Sequence, residues 1–91
     1  MKYQVKPTSQ FRRDYKLAIL RGRDVQLLDD VIRLLAAGQP LDAALKDHAL
    51  SGVYKGNREC HIVPDWLLVY RIDHDVLVLT LTRTGTHSDL F

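Results

Sequence analysis

Residues 58–91 read RECHIVPDWLLVYRIDHDVLVLTLTRTGTHSDLF and contain three apolar runs that are rich in Val, Leu and Ile. Short apolar runs bounded by turn-forming residues are typical of sheet strands. The sequences PD at 64–65 and DHD at 73–75 separate the runs. They delimit three predicted strands, over residues 58–63, 66–72 and 76–82. Because short turns join these strands in succession, the sequence predicts antiparallel hairpins.

The N-terminal part of the chain predicts one strand and two helices. Residues 2–6 alternate between polar and apolar side chains, as in a short strand. Thr8 or Ser9 can cap a first helix, whose apolar residues recur at helical spacing until Gly22 stops it. A second apolar stripe of helical spacing fills residues 24–40, between a capping Asp and a terminal Gly and Pro.

The middle of the chain is less regular. Residues 41–52, which include His48, are compatible with one helical turn or with a loop. Residues 53–55 and 58–63 flank the turn-forming pair Gly-Asn at 56–57 and predict a further hairpin. The predicted order is therefore β-α-α-β-β-β-β. It indicates an α+β fold in which two antiparallel N-terminal helices pack on one face of a small, mainly antiparallel sheet.

Size and composition limit the class of protein. A chain of 91 residues with 46% hydrophobic and 26% charged residues predicts one folded domain over residues 1–91. We expect no membrane partner, because no apolar run reaches the roughly 18 residues of a membrane span and no secretory signal is evident. Cys60 is the only cysteine, which excludes an internal disulfide and favours the cytoplasm. The net charge of +2 is by itself weak evidence for a nucleic-acid partner.

Polar side chains lie near the ends of the predicted strands, and Phe91 closes the chain. They are His61, Asp65, Arg83 and His87. RNA cleavage by its own 2′-hydroxyl needs a base, an acid and a cation near the phosphate. Histidine serves as base or acid near neutrality, and arginine matches phosphate oxygens. If neighbouring hairpins bring these groups together, they form a metal-free ribonuclease site in which Phe91 stacks on a base.

Other interpretations of these residues remain open. Taken singly, a strand histidine is most often just partly buried and hydrogen-bonded, and an Asp after Pro64 can simply hold a turn. A zinc site is a second chemical alternative, with ligands from His48, His61, Asp65 and His87. No HxxxH or CxxC pair supports it, so the metal-free interpretation is favoured and no cofactor is predicted.

Three motifs resemble those of the YafQ branch of the RelE-type toxins from bacterial toxin–antitoxin pairs. They are KDHALSG at 46–52, VYKGNRECHIVPDWLLVYRI at 53–72 and RTGTHSDLF at 83–91. The combination of PDW after a histidine with R-x-G-x-H-x-x-L-F at the end is specific, and the likeness extends more loosely to the N-terminus. The resemblance implies a metal-free endoribonuclease that enters the ribosomal A site and cuts the mRNA there.

The resemblance also implies an active site. The family's positions fall on His48, His61, Asp65, Arg83, His87 and Phe91. We expect His87 to be the general acid. Asp65, with His61 and His48, then supplies and tunes the base. Arg83 would stabilise charge on the phosphate, and Phe91 would stack on a nucleotide.

The implied partners are the ribosome, the mRNA and a cognate antitoxin that covers the toxin with an acidic or amphipathic segment. We expect ribosome docking through basic residues, although these are also typical of a solvated helix face. They are Arg12, Arg13, Lys16, Arg21 and Arg23. The fold resembles that of the ParE-type toxins too, which bind gyrase, but that alternative does not account for the His and Asp positions. An inert binding module with structural histidines is a third alternative.

Overall fold

The protein is described by a computed structural model that covers residues 1–91. Its elements are β1 (Gln4–Pro7), α1 (Ser9–Leu20), α2 (Val25–Ala36), β2 (His48–Ala49), β3 (Arg58–Val63), β4 (Trp66–Asp73), β5 (Val78–Gly85) and α3 (His87–Leu90). The five strands form one sheet in the order β1-β5-β4-β3-β2, in which only β1 and β5 pair in parallel. The predicted α+β class, with two N-terminal helices on a mainly antiparallel sheet, is confirmed.

The two long helices begin and end at the predicted signals. The side chains of Thr8 and Asp24 cap α1 and α2 by accepting hydrogen bonds from backbone N–H groups of the first turn. Gly22 ends α1 in the left-handed region, with φ +76°, a conformation that costs glycine little. The next residue, Arg23, donates its backbone N–H to Ala18 O at 3.0 Å. This bond fixes the course of the chain between the helices.

The central strand β4 is buried on both sides, as its nearly continuous apolar sequence predicts. Leu68 and Tyr70 belong to the large core between the sheet and helices α1 and α2. Leu67 and Val69 point to the opposite face, where they pack against Leu90 of α3. The second face is therefore covered by a short helix and not by a full layer, and it carries the polar residues described below. No helix combines the length and the apolar character that a membrane crossing requires.

The predicted strand over residues 53–55 is wrong. Residues Gly52–Tyr54 form a 3-10 turn, and β2 is the strand that pairs with the Arg58 end of β3. Gly52 has φ +68°, which interrupts an extended chain, and the side chain of Val53 projects into solvent instead of a core.

The end of the chain also differs from the prediction. Strand β5 spans Val78–Gly85 instead of 76–82, so Arg83 lies within the strand and not at its end. The residues after it form α3, where only a bend is predicted. Thr86 caps this helix in a capping box with Asp89, in which each side chain accepts a hydrogen bond from the other residue's backbone.

Candidate active site

Three histidines form a row on the sheet face opposite α1 and α2. His48 lies on β2, His61 on β3 and His87 at the first position of α3. Their ring centroids are 6.3 Å apart between His48 and His61 and 5.8 Å apart between His61 and His87. Phe91 continues the row, 6.2 Å from His87, and packs edge-on against Tyr54. The structure thus brings together aromatic and imidazole groups from three elements far apart in the sequence.

Asp65 holds His87 in place. Its Oδ1 accepts one hydrogen bond from the His87 backbone N–H at 3.2 Å and another from Nδ1 at 3.1 Å. The backbone bond and then the side-chain bond lower the pKa of Asp65, so the carboxylate is ionised near neutrality. Because a carboxylate oxygen accepts, the His87 ring carries a proton on Nδ1, and Nε2 is the nitrogen that this bond leaves free.

His61 is oriented by a backbone carbonyl. Its Nδ1 lies 3.3 Å from the carbonyl oxygen of Pro64, which can only accept a hydrogen bond. The proton of the neutral ring therefore sits on Nδ1, and Nε2 keeps a lone pair. Its side chain is only 19% exposed, against 55% for His87. The two neighbouring rings thus differ in hydrogen bonding and in burial.

Glu59 completes this cluster, although the sequence analysis does not select it. Its Oε2 lies 3.0 Å from His48 Nε2 and 3.9 Å from His61 Nε2. His48 Nδ1 is 2.8 Å from the carbonyl oxygen of Lys46, which can only accept, so Nδ1 donates and Nε2 is the nitrogen that lies against the carboxylate. Glu59 is 4% exposed, and its Oε1 has no hydrogen-bond partner. Its position two residues before His61 is the signal that places both side chains on one strand face.

The structure changes the expected part of Asp65. We expected Asp65, with His61 and His48, to supply and tune the base. In the structure its carboxylate instead accepts hydrogen bonds from His87. The acidic group that lies beside His48 and His61 is Glu59. The physical reason is the register of the strands: His48 pairs with Glu59 across β2 and β3, whereas Asp65 is in the turn that α3 approaches.

Arg83 is not a free cation. Its Nε and Nη2 donate to the two carboxylate oxygens of Asp14 on α1, at 3.0 and 2.9 Å. This bidentate pair raises the pKa of Arg83, and Asp14 also accepts the backbone N–H of Thr84. No hydrogen bond links Arg83 to the three histidines. Arg83 therefore ties β5 to α1 at the margin of the cluster, with part of its donor capacity in use.

The five basic residues expected to form one ribosome-facing patch have different environments. Arg12, Arg13 and Lys16 are exposed on α1. Arg21 forms an ion pair with Asp89 of α3 at 2.6 Å. Arg23 lies over the ring of Trp66, with 5.3 Å between the guanidinium carbon and the ring centroid.

The side chains of the cluster do not form a ready metal site. No group of three or more His, Cys, Asp and Glu side chains is arranged to hold a metal ion. Of the four residues of the zinc alternative, Asp65 and His87 bond to each other, His48 lies against Glu59, and His61 bonds to a carbonyl. What the cluster offers chemically is a pair of imidazoles, in different hydrogen-bonding states, beside one exposed aromatic ring.

Comparison with known proteins gives consistent matches. The family described as "Bacterial toxin of type II toxin-antitoxin system, YafQ" matches residues 3–91. The mRNA interferase toxin YafQ of Escherichia coli K12 is 41% identical over 85 residues, which cover 92% of this chain and 90% of that protein. The crystal structure of YafQ from E. coli BL21(DE3) superposes with a TM-score of 0.92 at 38% identity, covering 98% of both chains.

A further match is YafQ in the crystal structure of the E. coli DinJ–YafQ complex, with a TM-score of 0.90, 39% identity and coverage of 98% of both chains. These matches confirm the resemblance to the YafQ branch and its fold. This chain belongs to the YafQ family of bacterial toxins of type II toxin–antitoxin systems.

Proposed function

We propose that this chain is an mRNA interferase, an endoribonuclease that cleaves mRNA by attack of the 2′-hydroxyl on the adjacent phosphate, without a metal ion. The observation that carries the proposal is the pair His61 and His87, whose rings are 5.8 Å apart and hydrogen-bonded in different ways. The E. coli relative, named an mRNA interferase toxin, supports the same activity.

The two imidazoles divide the proton transfers. His61 Nε2, which keeps a lone pair, takes the proton of the 2′-hydroxyl. His87 Nε2 gives a proton to the departing 5′-oxygen, while ionised Asp65 stabilises the ring in the charged form and holds its orientation. The new bond joins the 2′-oxygen to phosphorus and the bond to the 5′-oxygen breaks. The products are a 2′,3′-cyclic phosphate and a 5′-hydroxyl.

The remaining residues stabilise and position the substrate. Glu59 lies 3.0 Å from His48 Nε2, so its carboxylate would stabilise a protonated His48 ring that faces the phosphate as negative charge builds. Arg83 is held by Asp14 through Nε and Nη2, and its remaining N–H donors are proposed to stabilise the charge on the phosphate. Phe91 is 62% exposed, which leaves its face open for stacking on a nucleotide.

In this proposal the ribosome presents the mRNA to the toxin. Residues 1–91 form a single toxin domain. The exposed side chains of Arg12, Arg13 and Lys16 are suited to contact rRNA phosphates. A cognate antitoxin binds the toxin and blocks its activity. The DinJ–YafQ complex of the E. coli relative supports such a partner.

The test compares histidine variants on ribosomes carrying a defined mRNA. We expect His61→Ala and His87→Ala each to reduce single-turnover cleavage by about 100-fold or more. His74→Ala is the matched control, because His74 bonds to Tyr3 away from the cluster and its loss should leave cleavage unchanged. Normal cleavage by both site variants would contradict the proposal.

Two further arms distinguish the alternatives. A chelator selective for transition metals, at constant magnesium, should leave cleavage unchanged, and loss of activity would favour the zinc alternative. Expression in cells should cause rapid loss of mRNA and of translation. DNA damage with continued translation would instead favour a toxin that binds gyrase.

A further inference from the structure

We propose that Arg23 binds a backbone phosphate of the RNA in the cleft between α1 and the end of β5. This inference rests on the proposed function. It adds one residue that binds the RNA and names the group that this residue binds, a backbone phosphate. It also differs from docking through a diffuse basic patch, because it assigns one guanidinium to a phosphate of the substrate strand.

Arg23 is the free guanidinium of its neighbourhood. Three arginines line the cleft between α1 and the end of β5, and two of them are neutralised by carboxylates: Arg21 by Asp89 and Arg83 by Asp14. The guanidinium of Arg23 makes no hydrogen bond and no ion pair within the protein. Because no carboxylate lies within ion-pair distance of this partly buried arginine, its N–H donors stay available for an anion.

Arg23 is also held in position before any ligand binds. Its backbone N–H donates to Ala18 O in the turn that ends α1, and its guanidinium lies over the ring of Trp66. Trp66 is 2% exposed, and its Nε1 donates to Thr84 Oγ1 at 2.9 Å. The backbone of Arg23 and the Trp66 ring that its guanidinium covers are both fixed. Binding of a phosphate would therefore cost little additional side-chain entropy.

Arg23 adjoins the turn that carries Asp65, because its guanidinium lies over the ring of Trp66. Trp66 directly follows Asp65, and after the larger effect of the His87 hydrogen bonds the charge of Arg23 contributes to the lowered pKa of Asp65. Two cavities of about 180 and 450 Å³ share Arg21, Arg23 and Trp66 as walls, so an open cleft leads away from this point. Asp24 lines the larger cavity, but one of its oxygens caps α2. An RNA strand that runs from His61 and His87 past Asp65 would reach the Arg23 guanidinium in this cleft.

The experiment measures binding without catalysis. The ligand is a short single-stranded RNA with 2′-O-methyl riboses, which lack the attacking hydroxyl, and its Kd is determined at several salt concentrations from about 50 to 200 mM. We expect Arg23→Ala to weaken binding by about five- to tenfold and to reduce the slope of log K against log salt by about 0.7, the value for one phosphate of a single strand. Arg23→Lys, which keeps the charge but not the planar stack, should keep the slope and lose less affinity.

Arg33→Ala is the matched control, because it removes the same charge from an exposed position on α2 where Arg33 pairs with Asp30. A loss for Arg23→Ala no greater than for Arg33→Ala, an unchanged salt slope, or no binding by the unmodified protein would each overturn the inference. Such a result leaves the cleavage test of His61 and His87 untouched. Conversely, normal cleavage by His61→Ala and His87→Ala would contradict the proposed function but would not change the RNA affinity measured for Arg23→Ala.

Discussion

Asp65 Oδ1 accepts two hydrogen bonds from His87, one from the backbone N–H and one from the imidazole Nδ1. These residues are 22 positions apart, on the β3–β4 turn and at the start of α3. One oxygen therefore fixes both the helix terminus and the ring that it carries. The proposed acid is positioned by the fold itself, so its orientation depends on the turn, on the carboxylate and on the attachment of α3.

The first prediction concerns this carboxylate. Asp65→Asn keeps an oxygen acceptor but removes the negative charge beside the ring that must become charged. We expect single-turnover cleavage to fall by about 10- to 100-fold, with folding unchanged because Asp65 is exposed. Asp73→Asn is the control, since Asp73 caps the β4–β5 turn through similar bonds to backbone N–H groups. Equal cleavage by both variants would show that the Asp65 charge has no part in the reaction.

The second prediction separates activity from stability at Glu59. Its Oε1 is buried without a partner, which is an energetic cost of about 1–3 kcal/mol for a polar group. Glu59→Met fills a similar volume without that cost, and the partner His48 is half exposed. We expect urea unfolding to show a gain of about 1 kcal/mol while cleavage falls at least tenfold. A variant that loses both stability and activity would show that Glu59 is structural.

The third prediction concerns the ion pair that anchors α3. Its carboxylate, Asp89, has a lowered pKa, first because of the Arg21 hydrogen bonds and then because of the Thr86 backbone. A lowered pKa in the folded state stabilises the fold above the ordinary aspartate pKa of about 3.9, and this contribution is lost as the pH falls through the lower folded value. Arg21→Gln should therefore be less stable than the wild type near neutrality, and the difference should shrink in acid.

Unfolding by urea at a series of pH values checks this third prediction. The same variant should cleave more slowly, because α3 carries His87 and Phe91. Arg33→Gln provides the control, since its pair with Asp30 connects no separate elements. The role given to the ion pair would be contradicted if the stability difference between the wild type and Arg21→Gln stayed constant from neutrality to pH values below the pKa of free aspartate.

Local patterns were sufficient to predict most of the sheet. The breaks at Pro64 and around His74 delimit β3 and β4, because adjacent residues determine the turns, whereas β5 begins at Val78, two residues later than predicted. The position of β2 is different, since a two-residue strand has no periodicity and is defined only by its partner on β3. The parallel pairing of β1 with β5 also depends on residues about 74 positions apart, such as Gln4 and Val78.

The candidate site could be predicted only in part. The histidines and Asp65 stand out because their residue types fit the chemistry. Which carboxylate pairs with which cation depends on residues far apart in the chain. Asp14 and Arg83 are 69 positions apart, so no local sequence pattern predicts their ion pair. Glu59 was missed for a related reason: an acidic residue on a strand is normally exposed, and here the β2 segment with His48 covers it.

The central claim is that His87 protonates the departing 5′-oxygen and that His61 activates the 2′-hydroxyl. The most direct measurement uses an mRNA with sulfur in place of that 5′-oxygen, because a thiolate leaves without a proton. We predict that this substrate restores cleavage to His87→Ala but not to His61→Ala. Restoration of neither variant, or of His61→Ala instead, would contradict the assignment.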